Sequence, residues 1–132
     1  MDFSNAYIGM CEKAVWLQQL WEITYADYYC DRSAVFGTRD GSPGISLVDD
    51  KVLIDVMNQD FKRSKAVWLP RQDQLQELLN VTDPFDIIHL LNEFTGRVDN
   101  ATRQRWTSME QLLLSAYALH KHKRQWTGEN WH

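Results

Sequence analysis

The sequence has few of the features that a secreted, membrane-bound or disulfide-stabilised protein requires. Its 132 residues include two cysteines, Cys11 and Cys30, which are too far apart to form a CxxC pair. Its apolar runs are all shorter than the roughly 18 residues of a membrane-spanning helix, and its start lacks the basic and apolar segments of a signal peptide. We therefore expect a cytoplasmic protein that does not contact a membrane and keeps both cysteines as packed thiols.

Motifs that mark common catalytic and cofactor sites are also missing. The chain contains no HExxH, P-loop, GxSxG or GxGxxG. A metal site at His120, His122, Glu129 and His132 is not expected, because His120 and His122 diverge by about 200° on a helix. These absences favour a protein without catalysis or cofactor, although a small hydrolase or nuclease with an unrecognised site stays open.

What the sequence does contain is enough apolar material for one core. It is 44% hydrophobic, with six Trp, five Tyr and five Phe. A chain of this length buries such a core without a metal or disulfide. We predict a single domain over residues 1–132.

The stretch 66–79, AVWLPRQDQLQELL, predicts a strand followed at once by a short helix. Residues 66–69 are apolar and strand-like, and Pro70 suits the first helical position. Asp73 then lies in the first turn, where its carboxylate faces the positive end of the helix dipole. The apolar face of this helix consists of Leu75, Leu78 and Leu79.

Two further helices are predicted from capping residues and apolar periodicity. Ser4 is placed as the N-cap of a helix that runs to about residue 22. Asp83 and Pro84 suit the N-cap and first position of another, which ends near Gly96. The apolar stripe of that helix consists of Phe85, Ile87, Ile88, Leu91 and Phe94, with His89 among them as a core or boundary residue.

A fourth helix is predicted over residues 109–123. Thr107 and Glu110 have the spacing of a capping box at its start. The polar residues 99–106 before it are predicted to form a loop.

Short β-prone runs separated by turn residues predict a small antiparallel sheet. The runs are residues 28–30, 34–36, 45–48 and 52–56, the turns are 41–44 and Asp49-Asp50, and the run at 66–69 completes the sheet. The predicted fold class is therefore α+β, with about four helices.

Several stretches resemble a family of small uncharacterised proteins carried by phages and prophages of Gram-positive bacteria. They are WLPRQDQLQE at 68–77, SMEQL at 108–112, WTGENW at 126–131 and, more loosely, YIGMCEKAVWLQQLW at 7–21. The chain departs from the family pattern at residues 115–117, where bulkier apolar residues are usual, and in a longer segment at 37–60. The resemblance implies a phage or prophage context and a bacterial cytoplasm, but no activity.

Charge is unevenly distributed along the chain. Its net charge is −4, yet residues 97–132 carry six Lys or Arg against three Asp or Glu. The cations Lys121, Lys123 and Arg124 precede two tryptophans, a combination that suits single-stranded nucleic acid. The candidate binding residues for nucleic acid or another partner are Lys121, Lys123, Arg124, Trp126 and Trp131.

The sequence is therefore compatible with three functions. The first is a non-enzymatic accessory protein that binds a partner protein, since an acidic body, a basic end and surplus aromatic residues suit such a role. The second is binding of single-stranded nucleic acid through the C-terminal residues, and the third is the hydrolase or nuclease. Helices at 70–79 and 84–95 have helix-turn-helix proportions, but the second carries no cation before Arg97, so it is not expected to read DNA.

Overall fold

The computed structural model describes residues 1–32 and 44–132. The predicted strand at 34–36 and most of the predicted turn at 41–44 lie outside these residues. The described residues form two compact units. The sheet unit is Phe3–Leu69, and the helical unit is Pro70–His132 together with Met1–Asp2. The single-domain organisation stays a prediction.

The sheet unit contains a three-stranded antiparallel sheet in the order β2-β1-β3. Its elements are α1 (Asn5–Lys13), α2 (Val15–Gln18), β1 (Tyr28–Asp31), β2 (Gly44–Leu47), α3 (Asp50–Met57), a 3₁₀ turn (Arg63–Lys65) and β3 (Ala66–Leu69). In the central strand, Tyr29 lies opposite Ser46 on one side and Trp68 on the other. The prediction of a small antiparallel sheet completed by Ala66–Leu69 is confirmed.

The helical unit consists of four helices and a C-terminal hairpin. The helices are α4 (Gln72–Leu78), α5 (Pro84–Gly96), α6 (Asn100–Arg103) and α7 (Met109–His122). The α+β class is confirmed, but the described residues contain seven α-helices rather than about four.

The first predicted helix is broken at Ala14. Ser4 is its N-cap as predicted, since the Ser4 hydroxyl accepts a hydrogen bond from the Tyr7 amide at 3.2 Å. Ala14 leaves the helical region at φ −89° and ψ 74°, which separates α1 from α2. Next to this break, the side-chain Nε2 of Gln18 donates to the Cys11 carbonyl at 3.0 Å.

The same Gln18 side chain covers the outer edge of β3. Its Oε1 accepts from the Trp68 amide at 2.7 Å, and its Nε2 donates to the Trp68 carbonyl at 3.1 Å. The outward-facing backbone groups of Trp68 are thereby paired with one side-chain amide.

Two aspartates account for the two helices that the sequence did not predict. Asp49 accepts a hydrogen bond from the Val52 amide at 2.9 Å, so residues 50–57 are a helix and not the predicted turn and strand. Asp99 accepts from the Thr102 amide at 2.7 Å, which starts α6 within the predicted loop and lowers the pKa of Asp99. In both places the N-cap outweighs the local propensity for strand or loop.

The starts of α4 and α7 are each displaced from the prediction. Pro70 lies before the N-cap, Arg71, whose amide donates to the Gln74 side chain at 2.9 Å. The N-cap of α7 is Ser108, which accepts from the Gln111 amide at 3.1 Å. Gln111, and not Glu110, lies three positions after this N-cap, and its side-chain Oε1 accepts from the Thr107 amide at 3.2 Å.

Ser115 offers a test of packing in α7. Its hydroxyl is buried, and within the described residues it has no hydrogen-bond partner. An unpaired buried hydroxyl costs about 1–3 kcal/mol, so Ser115→Ala should leave the free energy of unfolding unchanged or raise it by about 1 kcal/mol. Urea denaturation followed by circular dichroism measures this. The opposite change at the buried Ala118 of the same helix, Ala118→Ser, should destabilise. A loss of more than about 1 kcal/mol for Ser115→Ala would show that the hydroxyl is paired.

Candidate functional site

Helix α5 leaves part of its apolar surface exposed. Its buried residue is Phe94, whose ring lies 5.1 Å from that of Trp106. Phe85 is 81% exposed and Ile88 57% exposed, although the sequence places both in a core-facing stripe. The predicted stripe is wrong at these two positions, because Phe85 lies about 180° and Ile88 about 120° around the helix from the buried Phe94. We call Phe85 and Ile88 the outer pair.

His89 is also exposed, contrary to its predicted core or boundary position. Its Nε2 lies 3.5 Å from Oε1 of Glu93, one helical turn later. Both side chains line an open groove, so His89 belongs to a surface and not to the core.

The groove lies between α5 and α7 and has a volume of about 700 Å³. It is lined by Asp86, His89, Leu90, Glu93, Phe94 and Arg97 of α5, by Ala116, Leu119, His120 and Lys123 at α7, and by Asn80, Val81 and Gln125. We call it the α5–α7 groove. A volume of this order is typical of a binding site.

The groove has an apolar floor between walls of different charge. Leu90, Phe94 and Leu119 contribute apolar surface. The α5 wall carries two carboxylates, Asp86 and Glu93, whereas the α7 wall carries the cation Lys123. A ligand with apolar and charged parts fits this arrangement better than a purely apolar one.

Lys123 ends α7 in a conformation that favours glycine. Its φ is +55°, and its amide donates to the Leu119 carbonyl at 3.2 Å, while the Arg124 amide donates to the Ala118 carbonyl at 3.1 Å. Helices commonly place Gly or Asn at this position. Here the position is a lysine that lines the groove, so a residue in the left-handed conformation belongs to the candidate site.

No family model, curated protein or solved structure matches the chain. Across residues 1–32 and 44–132, no helix has the length and apolar character needed to cross a membrane. In that same part of the chain, His, Cys, Asp and Glu side chains form no group of three that could hold a metal ion.

The five binding residues predicted from the C-terminal sequence differ in exposure in the structure. Lys121, Lys123 and Arg124 are exposed, and Lys123 lines the groove. Trp131 is only 8% exposed, and its ring lies 5.1 Å from that of the half-buried Trp126. The two tryptophans therefore pack against each other, and the buried Trp131 cannot stack on a base without rearrangement.

The tryptophan pair belongs to a C-terminal hairpin. Gln125 and His132 exchange two backbone hydrogen bonds of 2.7 and 2.8 Å, and Trp126 and Trp131 lie opposite each other. Gly128 in the turn has φ +102°, which an L side chain rarely adopts. The spacing in WTGENW thus has a structural explanation.

A second open cavity, of about 640 Å³, lies in the sheet unit. Its charged residues are Asp31, Asp49, Asp55, Asp60, Lys51 and Lys62. Burial raises the pKa of the Tyr29 hydroxyl, which also lines this cavity. Burial likewise raises the pKa of the Cys30 thiol, and Cys11 is also a buried free thiol. These cysteines occupy packing positions.

Sequence reasoning identified Lys123 but not the groove around it. The overlooked signal was the wide apolar arc of α5, since apolar residues at 85, 87, 88, 90, 91 and 94 cover more than one face. Such a helix cannot bury all of its apolar side chains against one neighbour.

Proposed function

We propose that this protein acts without catalysis, by binding a partner protein through α5. Support comes from one observation: Phe85 and Ile88 are exposed on the outer side of a helix whose buried residue is Phe94. Exposed apolar side chains that lie together mark interaction sites more often than isolated ones do. The outer pair and the α5–α7 groove make α5 accessible from two sides.

Binding of single-stranded nucleic acid is supported less well. Lys121, Lys123 and Arg124 are exposed and can contact phosphates. Stacking on Trp131 is hindered by its burial, and Asp86 and Glu93 beside Lys123 repel a polyanion. The phage or prophage context and the cytoplasmic location stay predictions from the sequence.

Replacing the outer pair by serine should weaken partner binding strongly. The tagged protein is used for affinity purification from lysate of a Gram-positive host, with and without nuclease. We expect a protein partner to co-purify in stoichiometric amount, also after nuclease treatment. The amount of co-purified partner should fall at least about tenfold for Phe85→Ser/Ile88→Ser, because two interface anchors are lost.

A matched control lies on α3 in the sheet unit. Ile54 is 56% exposed and Met57 is 82% exposed, and they are three residues apart, as Phe85 and Ile88 are. The double variant Ile54→Ser/Met57→Ser should retain the partner. Equal loss in both double variants would point to nonspecific hydrophobic capture and contradict the proposal. Nucleic acid that is released by salt and lost on Lys121→Glu/Lys123→Glu would favour the second function.

A further inference from the structure

The walls of the α5–α7 groove differ in charge in a way that specifies an occupant. The α7 side contributes Ala116, Leu119, His120 and Lys123, so the formal charge on this side is the positive charge of Lys123. Lys121 and Arg124 add further exposed cations at the same helix end. A ligand group that approaches this wall should therefore be acidic.

The opposite wall has the other polarity. Asp86 and Glu93 are seven residues apart, so they lie on the same side of α5, and His89 lies between them and contacts Glu93 at 3.5 Å. Arg97 follows at the C-terminal end of this wall. A group that approaches this wall between Asp86 and Glu93 should be basic.

The length of the groove fits a helix. At 1.5 Å per residue, the α5 wall from Asp86 to Arg97 extends about 16 Å and the α7 wall from Ala116 to Lys123 about 10 Å. This corresponds to two or three helical turns. The groove is partly open to solvent, whereas small-molecule sites enclose most of their ligand.

We infer that the α5–α7 groove binds an amphipathic helix of the partner protein, with acidic residues along the flank that faces α7 and basic residues along the flank that faces α5. This inference rests on the proposed function and identifies the partner's binding element. Its apolar face packs on Leu90, Phe94 and Leu119, as in other helix-in-groove complexes.

The two flanks also fix the direction of the bound helix. Reversing a helix while its apolar face stays in the groove exchanges its left and right flanks. The reversed helix would place acids against Asp86 and Glu93 and bases against Lys123, which is unfavourable on both sides. Charge therefore selects one of two orientations that the apolar contacts alone do not distinguish.

The test uses a displayed library of 15-residue helical peptides with fixed leucines on one face and both flanks randomised among Glu, Lys and Gln. Selection on the wild-type protein should enrich peptides that carry Glu on one flank and Lys on the other. A fluorescently labelled selected peptide should bind Lys123→Glu at least tenfold more weakly than wild type. Selection on Lys123→Glu should replace Glu by Lys on the flank that faces α7. Lys13→Glu, a surface charge reversal in the sheet unit, should change neither result.

Several outcomes would overturn the inference. One is enrichment of peptides whose flank charges do not respond to Lys123→Glu. Another is that selection on the wild type enriches no helical peptide more strongly than selection on Leu119→Asp, a variant whose circular dichroism must match that of the wild type. Self-association of the protein that Lys123→Glu abolishes would identify a second copy as the occupant. If the outer-pair variant still loses its captured partner while the library shows no charge pattern, the proposed function stands and only the groove inference fails.

Discussion

Replacing Asp27 by alanine is expected to lower the free energy of unfolding of the sheet unit by about 3 kcal/mol. Asp27 is 1% exposed, and its Oδ2 accepts hydrogen bonds from the Trp21 indole at 2.9 Å and the Thr24 amide at 3.0 Å. Alanine leaves both donors without this acceptor, and the indole is buried. Urea denaturation followed by far-ultraviolet circular dichroism measures the change.

Asp27→Asn separates the loss of the acceptor from the loss of charge. The asparagine oxygen still accepts from Trp21, so this variant should lose roughly half as much stability. The Trp21 ring is parallel to that of Trp68 at 6.3 Å, so its near-ultraviolet signal should change more in Asp27→Ala than in Asp27→Asn. Stability of Asp27→Ala within about 1 kcal/mol of wild type would show that water replaces the carboxylate.

Replacing Trp131 by alanine is expected to lower the free energy of unfolding of the helical unit by about 3–4 kcal/mol. Trp131 is 8% exposed and packs against Trp126, so the substitution removes a large buried ring. Trp126→Ala should cost less, because Trp126 is half-buried. The same denaturation experiment compares them, and equal losses would mean that the hairpin contributes as one unit through its backbone.

Because Trp131→Ala should destabilise the helical unit, it is not a suitable variant for testing nucleic-acid binding. A loss of binding in Trp131→Ala would follow from unfolding as well as from loss of stacking. Lys121 and Lys123 are exposed, so their charge reversal tests phosphate contact with less effect on the core.

Helix N-caps and strands that depend on residues close in the sequence were predictable. Ser4 and Asp83 are N-caps at the predicted places, and Ala66–Leu69 is a strand of the predicted sheet. The break at Ala14 was not predictable, because it is associated with contacts of Gln18 to a strand 50 residues later. Residues 52–56 combine strand-like side chains with a cap at Asp49, and local propensity alone does not decide between them.

The candidate site was predictable only in part. Exposed cations near Lys123 follow from the sequence of the last helix. The groove depends on which side of α5 faces α7, and the apolar arc of α5 permits several choices. The packing of Trp131 on Trp126 depends on a hairpin whose turn contains a glycine at φ +102°.

The contact between Gln18 and β3 also bears on aggregation. A strand edge with open amide and carbonyl groups is a template for pairing with other chains. The sequence of β3, AVWL, is apolar and lacks charge and proline, which is the composition that assembles most readily into intermolecular sheets. By pairing both outward backbone groups of Trp68, one glutamine side chain makes these two groups unavailable for pairing with another chain.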